Sequence, residues 1–281
     1  MFTGLRIALL QLLARDSKSK ILQRTEEYIS QAADNGTKLA ILPELFTTEL
    51  HPPVFMEKKE NVPDGETCQA MSHLAKKYNM HIVAGSVAEQ ITGSEKMKNT
   101  SIIFNPKGEL VGKYTKMHSF DVDLGERLSI HESEWFEHGN SPTTFKTDIC
   151  KVGVGICIDI RFPEISRYFT EQGCNLHVYL GAFSAARTGP AHWDVLARAR
   201  AIDNQVYLAA CSPARDDSHH YVAWGHSVVV DPWGKIISQA ESEESMIYAD
   251  LDMNYLNEMR EQLPVEEIRR KDLYHTTYNW E

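Results

Sequence analysis

Three side chains that could cooperate in a hydrolytic reaction each follow a segment typical of a buried β-strand. Glu44 follows KLAILP, Lys116 follows LVGKYT, and Cys157 follows KVGVGI. Catalytic groups are often mounted where a strand leads into a loop, because the sheet fixes their position and the loop leaves room for a substrate. A carboxylate, an ammonium group and a thiol at three such strand ends therefore suggest nucleophilic catalysis by the thiol.

Cys157 has two interpretations. A free cysteine is most often a small residue of the hydrophobic core, and the residue type alone favours that. The flanking residues favour a nucleophile. Gly153 and Gly155 would let neighbouring backbone approach closely, and the charged Asp159 and Arg161 follow at once. A thiol becomes reactive where a nearby cation or helix N-terminus stabilises its thiolate.

Lys116 and Glu44 must be distinguished from ordinary surface residues. Most lysines are solvated, so Lys116 alone indicates little. Glu44 comes directly after Ile-Leu-Pro, so we expect its carboxylate to face a partly buried space, where it could act as a general base. His118 is close enough in sequence to be a rival base.

The elements that must position these groups alternate between strand and helix. Residues 116–142 show little hydrophobic periodicity. A long irregular segment in a compact domain more often has a function than not. The hydrophobic pattern predicts strands at 5–13, 38–43, 81–87, 151–158, 175–180, 206–212 and 245–251, helices at 17–34, 66–78, 163–172, 190–203 and 254–261, and hairpins at 99–114 and 227–237.

The two halves of the chain echo each other. Each runs helix, strand and then hairpin, with the turn Asn105-Pro-Lys-Gly108 in the first half and Asp231-Pro-Trp-Gly234 in the second. We therefore predict an α/β fold in which two similar halves pack together and helices cover the outer faces of the sheets. A single domain over residues 1–281, with a peripheral tail from about 275, is expected.

The overall composition excludes several classes of partner. A formal charge of −10 argues against nucleic acid and anionic membranes, since both need a basic face. The apolar N-terminus lacks the basic start and cleavage site of a signal peptide, and no apolar stretch is long enough to span a bilayer. Five cysteines without a C-x-x-C pair suit free thiols in the cytoplasm. The scattered histidines predict no metal site.

Three longer segments resemble a known family. ILPELF around Glu44, KYTKMHSFD around Lys116 and GVGICIDIRFPEISR around Cys157 are similar to the signature segments of the nitrilase superfamily of carbon–nitrogen hydrolases. The resemblance extends from IALLQL to about Tyr274. It implies a four-layer α-β-β-α sandwich, a homodimer formed through the helices after the catalytic strands, and no cofactor.

The same resemblance implies a role for each residue. Glu44 would take the proton of the Cys157 thiol and later activate water. Lys116 would hold the thiolate and, with the backbone N–H of Ile158, stabilise the oxyanion. Glu132, in IHESEW, matches a second glutamate that orients the lysine. The thiolate attacks an amide carbonyl, ammonia leaves, and water hydrolyses the thioester.

Within the superfamily, GAFSAARTGPAHWDVLARARAIDNQVYLAACSPARDD and YVAWGHSVVVDPWGK are most similar to the omega-amidase branch. Members of that branch hydrolyse the terminal amides of 2-oxoglutaramate and 2-oxosuccinamate. Arg161 is then the candidate to hold the substrate carboxylate by a bidentate contact. A structural ion pair with Asp159 or Glu164 is the alternative. Phe120 and Phe183 are candidates to line the pocket.

Two positions depart from that branch. Relatives often have Tyr after the nucleophile, whereas this chain has Ile158, which keeps the backbone N–H. LFTTELHPP replaces a Tyr-Gly-containing loop. It would bring Glu49 and His51 near the pocket mouth, where a carboxylate would repel a diacid unless it points outward.

Three hypotheses about function follow. The first is a cofactor-free amidase of small 2-oxo acid amides, with water as the second substrate. The second is a relative that acts on deaminated glutathione or an N-carbamoyl amine. The third is a non-catalytic scaffold that kept the fold, although all three catalytic positions are filled.

Overall fold

A computed structural model describes residues 4–123 and 129–280, and in these ranges two six-stranded sheets pack against each other. The first half contains β1 Gly4–Gln11, α1 Lys18–Asp34, β2 Leu39–Ile41, α2 Pro52–Lys58, α3 Glu66–Lys77, β3 His81–Gln90, β4 Met97–Phe104, β5 Leu110–Thr115, β6 Asp121–Asp123 and β7 Ser129–His131. The second half contains β8 Thr143–Lys146, β9 Lys151–Ile156, α4 Pro163–Glu171, β10 Leu176–Leu180, α5 Thr188–Asn204, β11 Tyr207–Cys211, β12 Val228–Val230, β13 Ile236–Gln239, β14 Ser245–Asp252, α6 Met253–Gln262 and α7 Val265–Ile268.

The two large sheets have the same topology. The first has the order β14-β1-β2-β3-β4-β5 and the second has the order β8-β9-β10-β11-β12-β13. In each, three central strands are parallel and the outer strands pair antiparallel. The predicted arrangement of two similar halves is confirmed.

The core has the layers that the strand pattern predicts. Successive side chains of a strand point to opposite faces, so Ile7 and Leu9 of β1 face the second sheet while Ala8 and Leu10 face helices. Helices α1 and α3 cover the first sheet, and α4 and α5 cover the second. Fully burying a Leu or Ile contributes about 1.5–3 kcal/mol, so these alternating strands hold the four layers together.

Some short elements differ from the predicted ones. β8 and α2 were not predicted, and the segment predicted to be irregular contains the two-stranded sheet β6–β7. Elements of three to seven residues are too short to show a hydrophobic period. The strand predicted at 151–158 ends at Ile156, and a 3₁₀ turn, Cys157–Arg161, follows it.

The glycines of β9 serve side-chain packing. A Cβ at Gly153 would collide with the ring of Phe169, and one at Gly155 would lie 2.6 Å from the ring of Tyr179. The expectation that backbone approaches these glycines was wrong, because aromatic rings occupy the space. The strand that carries Cys157 is thereby packed closely against its covering layer.

Candidate active site

Lys116 and Glu44 meet at the ends of their strands. Lys116 comes directly after β5, and Glu44 lies three residues after the end of β2. The Lys116 Nζ is 3.1 Å from the Glu44 Oε1, and both side chains are buried. Burial lowers the pKa of Lys116, but the carboxylates of Glu132 and Glu44 act in the opposite direction and leave its pKa well above the ordinary value. The ammonium group is therefore charged at neutral pH.

Glu132 binds the same ammonium group from a second direction. Its two carboxylate oxygens lie 2.7 and 2.8 Å from the Lys116 Nζ, and its Oε2 also accepts a hydrogen bond of 2.7 Å from the backbone N–H of Phe120. It starts a 3₁₀ turn, Glu132–Glu134, directly after β7. The lysine is thus held between two carboxylates and has little rotational freedom.

The carboxylate of Glu44 is held by three donors. Besides Lys116, the side-chain amide of Asn99 donates to its Oε1 at 2.9 Å, and the backbone N–H of Ala182 donates to its Oε2 at 3.0 Å. Asn99 lies on β4 and Ala182 lies two residues after β10. Donors from both sheets therefore fix one carboxylate at their shared edge.

Cys157 directly follows β9 with a left-handed backbone conformation, at a φ of 51°. Only a small fraction of non-glycine residues adopt a positive φ, and such residues cluster at functional sites. Burial, followed by the charge of Glu44, raises the pKa of Cys157 well above its ordinary value, against the opposing effect of Lys116. The backbone N–H of Ala182 also acts to lower the pKa of Cys157. The resting sulfur is therefore a protonated thiol close to a base.

One cavity of about 540 Å³ brings these groups together. Its walls include all four residues expected to do chemistry and Phe120, which was expected to line the pocket. The described residues that line it are Glu44, Leu45, Leu50, Pro52, Phe55, Lys116, Phe120, Ser129, Ile130, His131, Glu132, Glu134, Trp135, Phe136, Cys157, Ala182, His220 and Tyr221.

A smaller recess of about 10 Å³ adjoins this cavity at Cys157. Ile158, Arg161 and Phe183 line the recess, together with Thr188. The guanidinium carbon of Arg161 lies 4.9 Å from the centre of the Phe183 ring, and its nitrogens lie 3.3 Å from the Nδ1 of His192. Burial lowers the pKa of Arg161.

The alternative interpretation of Arg161, an ion pair with Asp159 or Glu164, is wrong. Within residues 4–123 and 129–280, no carboxylate lies within 4.0 Å of its guanidinium. Asp159 instead accepts from the Tyr114 hydroxyl at 2.6 Å and lies 2.8 Å from the Nδ1 of His118. His118, the rival base, is thereby directed to Asp159.

The loop after Glu44 contributes apolar residues to the cavity. Leu50 and Pro52 line it, whereas neither Glu49 nor His51 is among its described lining residues. His51 stacks on His220, with ring centres 4.9 Å apart, and His220 lines the cavity. The cavity wall built by this loop therefore carries no carboxylate of Glu49.

Sequence reasoning missed three contributors to the site, Ala182, Asn99 and Tyr221. The Tyr221 hydroxyl donates to the Ala182 carbonyl at 2.6 Å, and Tyr221 lines both cavity and recess. Burial and the neighbouring Cys157 and Glu44 raise the pKa of Tyr221 well above its ordinary value, so the phenol stays a donor. No residue type could reveal Ala182, since it acts through its backbone.

The described part of the chain contains neither a metal-binding cluster nor a membrane-spanning helix. No three His, Cys, Asp or Glu side chains there are grouped so that they could hold a metal ion. In the same ranges, no helix combines the length and the hydrophobicity needed to cross a lipid bilayer.

The chain is similar to known proteins over nearly its whole length. Residues 6–261 match the family described as carbon-nitrogen hydrolase. The chain is 46% identical over 269 residues to the omega-amidase NIT2 of Xenopus tropicalis, with 96% of each chain covered. It is 44% identical over 272 residues to the omega-amidase NIT2 of Homo sapiens, with 97% of each covered.

A solved structure has the same fold. Nit3 of Saccharomyces cerevisiae, a member of branch 10 of the nitrilase superfamily, superimposes with a TM-score of 0.87 at 39% identity. The match covers 95% of this chain and 97% of that one.

Proposed function

The chain belongs to the carbon–nitrogen hydrolase family, and from that premise we propose that it is an omega-amidase. It releases ammonia from the terminal amide of small 2-oxo acid amides such as 2-oxoglutaramate and 2-oxosuccinamate. The observation that carries the proposal is the single cavity that Glu44, Lys116 and Cys157 line together. The names of its full-length relatives support the substrate class.

Acylation begins at the protonated thiol. Glu44 takes the proton of Cys157, and the resulting thiolate attacks the amide carbonyl carbon. The negative charge that develops on the carbonyl oxygen is stabilised by the ammonium group of Lys116 and the backbone N–H of Ile158. Such a donor is typically worth about 10²–10³-fold in rate.

Glu44 then returns its proton to the leaving nitrogen. The carbon–nitrogen bond breaks, ammonia leaves, and the acyl group stays on Cys157 as a thioester. Water replaces the ammonia, gives a proton to Glu44, and attacks the thioester; the carbon–sulfur bond breaks, Glu44 returns that proton to the Cys157 sulfur, and the carboxylic acid product leaves as its carboxylate. The three hydrogen bonds that fix Glu44 keep it in reach of each proton transfer.

Glu132 positions Lys116 for this reaction. Its two oxygens hold the ammonium group at 2.7 and 2.8 Å, so the lysine needs no reorientation when charge develops on the substrate. Preorganised charge of this kind costs no rearrangement at the moment of reaction.

Arg161 supplies the recognition of the substrate carboxylate. Its guanidinium lines the recess beside Cys157 and has no carboxylate partner within the described residues. A bound substrate carboxylate would give it a bidentate partner. Phe183 packs under the guanidinium and Phe120 closes the wall shared with the main cavity.

The substrate class is tested by release of ammonia. We expect 2-oxoglutaramate to have a kcat/KM at least about 10²-fold above that of an N-carbamoyl amine, which lacks the 2-oxo acid carboxylate that Arg161 would bind. Deaminated glutathione carries the same acyl group, so the comparison with it tests the preference for an unsubstituted amide nitrogen. Ammonia release from 2-oxoglutaramate and the N-carbamoyl amine, and release of cysteinylglycine from deaminated glutathione, are measured on the same enzyme preparation. Preference for either of the other compounds would refute the substrate assignment while leaving the thiol mechanism intact.

We further propose that the chain forms one hydrolase domain, acts in the cytoplasm and assembles as a homodimer. All five cysteines are free, which suits a reducing compartment. Apolar side chains are exposed on α5 and α6 and near the β12–β13 turn, among them Val195, Ile202, Trp233 and Tyr255. Sedimentation should therefore give twice the chain mass.

A further inference from the structure

Asp159 is a buried carboxylate that takes no part in the proton transfers of the reaction. It is not among the described residues that line the main cavity or the recess. An unpartnered charge at such a position would be costly, but both oxygens of Asp159 have partners. The Tyr114 hydroxyl and the backbone N–H of Ile156 donate to its Oδ2 at 2.6 and 2.9 Å, and the Nδ1 of His118 lies 2.8 Å from its Oδ1. One carboxylate therefore connects two separate segments of the chain.

The first connected segment is the turn that carries the nucleophile. Ile156 precedes Cys157 directly, and Asp159 follows it by two residues. The hydrogen bond between these flanking residues therefore spans Cys157 and Ile158. Within this span Cys157 has its φ of 51°, and such a backbone conformation persists only where surrounding contacts hold it. The Asp159 carboxylate thus helps to direct the sulfur and the N–H that stabilises the oxyanion.

The second connected segment carries the catalytic lysine. Tyr114 and His118 lie two residues before and two residues after Lys116, and both contact the same carboxylate. Tyr114 belongs to β5 of the first sheet, whereas Asp159 follows β9 of the second. Burial, and next the charge of Asp159, raise the pKa of Tyr114 well above its ordinary value, so the phenol remains a donor. The bond from Tyr114 to Asp159 therefore joins the two sheets beside the active site.

We refer to Asp159, Tyr114 and His118 as the carboxylate clamp. We propose that the carboxylate clamp positions the two oxyanion donors, Lys116 and the backbone N–H of Ile158, relative to each other. These donors follow strands of different sheets, and a misplacement of about 1 Å in a catalytic geometry can lower the rate by about 10²-fold. The proposal rests on the proposed function, because the oxyanion forms on the amide bound there. No clamp residue is among the described lining residues, so the clamp should affect turnover and not substrate binding.

The turn has an independent support at its other end. Arg200 of α5 donates from its guanidinium to the carbonyls of Ile160 and Arg161, each at 2.9 Å. Loss of one clamp bond should therefore displace the start of the turn while its end stays attached to α5. The expected variant is folded but slow, which activity and thermal unfolding measured together can show.

Tyr114→Phe removes the bond between the sheets and leaves the other two partners of Asp159 in place. We expect kcat for ammonia release from 2-oxoglutaramate to fall by about 10–100-fold while KM changes by less than about threefold. Tyr179→Phe is the matched control, because Tyr179 is similarly buried in the same hydrophobic cluster but its hydroxyl pairs with Ser166. It should leave both constants unchanged. An equal fall of kcat in the two variants would mean general damage to the core and would overturn the proposal.

Two substitutions of His118 separate its donor from its packing. The ring stacks on Phe162 with centres 3.7 Å apart, and both His118→Ala and His118→Asn remove that contact. Asparagine keeps an N–H donor near the position of the Nδ1. We therefore expect kcat to fall by about tenfold in His118→Ala and to stay within about threefold of the wild type in His118→Asn. Equal kcat values in these two variants would remove His118 from the clamp.

Failure of the clamp and failure of the proposed function give different results. An unaltered kcat in Tyr114→Phe, with normal ammonia release by the wild type, would overturn the clamp alone. Absence of ammonia release from 2-oxoglutaramate by the wild type would contradict the proposed substrate. The variants are then compared on deaminated glutathione and the N-carbamoyl amine, since the clamp acts on the oxyanion donors whichever amide is bound. A wild type that hydrolyses none of the three would refute both proposals.

Discussion

The two halves of the sandwich share a strand order but supply opposite kinds of chemistry. After β2 the first half places a charged carboxylate, Glu44, whereas after β10, the equivalent strand of the second half, the chain places Ala182. The two meet, because the Ala182 N–H donates to the Glu44 Oε2 at 3.0 Å. The first half thus brings the charged groups Glu44, Lys116 and Glu132, and the second brings the thiol, the Ala182 N–H and the guanidinium of Arg161.

This comparison shows how the buried charge of Glu44 is stabilised where the two halves of the sandwich meet. An unpaired carboxylate in such a place would be costly, and Glu44 avoids the cost by accepting from groups of both halves. Neither half alone contains all three donors to Glu44. Substitutions in each half therefore test what that half contributes to catalysis.

The largest effect should come from the second half, by Cys157→Ala. Removing the nucleophile should lower kcat/KM by about 10⁴-fold or more, while the fold persists because alanine fits the same space. Ammonia release and thermal unfolding are measured together. Cys150→Ser is the control, since Cys150 is equally buried but lies outside the cavity, and substantial turnover by Cys157→Ala would contradict the mechanism.

The corresponding change in the first half is Glu44→Gln. It keeps the shape but removes the proton acceptor, and we expect a loss in kcat/KM of about 10²–10⁴-fold. Glu89→Gln is the matched control, because Glu89 is also buried, also pairs with a lysine, and lies outside the cavity. If both variants lost activity equally, the loss would report damage to the sheet and not removal of a base.

A smaller effect is expected from Tyr221→Phe, which loosens the contact between the halves without touching either charge. Loss of the hydrogen bond to the Ala182 carbonyl should displace the Ala182 N–H that donates to Glu44, and lower kcat by about tenfold with little change in KM.

Tyr207→Phe is the control for that variant. The Tyr207 hydroxyl likewise donates to a backbone carbonyl, that of Asp252, at 3.0 Å, but lies away from the cavity. It should cost stability of about 1 kcal/mol and leave kcat unchanged. An unaltered kcat in Tyr221→Phe would reduce Tyr221 to a packing residue.

The smallest effect leaves activity alone and concerns the outer face of the second sheet. His177 of β10 is fully buried, neither ring nitrogen has a partner among the described residues, and burial lowers the pKa of His177 to about 3. The unfolded chain binds a proton there below a pH of about 6.5, so folding stability falls as the pH drops below that value.

His177→Leu should remove this pH dependence. Between pH 7.5 and pH 5 the wild type should lose about 2 kcal/mol more of unfolding free energy than the variant, as measured by urea unfolding at both values. His73→Leu, at an exposed position, should retain the wild-type dependence. Equal losses in the wild type and in His177→Leu would show that this histidine does not titrate as described.

The sequence was sufficient for the long elements and for the strand ends that carry Glu44, Lys116 and Cys157, because buried strands leave a clear apolar signature. The sequence was insufficient for residues whose role depends on a backbone group or on contacts between distant parts of the chain. Ala182 acts through its N–H, Asn99 reaches Glu44 across neighbouring strands, and Glu132 came from family resemblance alone. The helix α2 did have a local signal, in the prolines at its first two positions.

At Cys157 the left-handed backbone conformation makes thermal stability and catalytic turnover conflicting requirements. A non-glycine residue in that conformation costs of the order of 1–3 kcal/mol, and glycine would remove most of the cost together with the reaction. Selection for durability alone would therefore replace the cysteine, so only a continuing demand for catalysis retains it. In homologues that are no longer selected for catalysis, the cysteine at this position should be replaced early. Those proteins should then have a higher melting temperature.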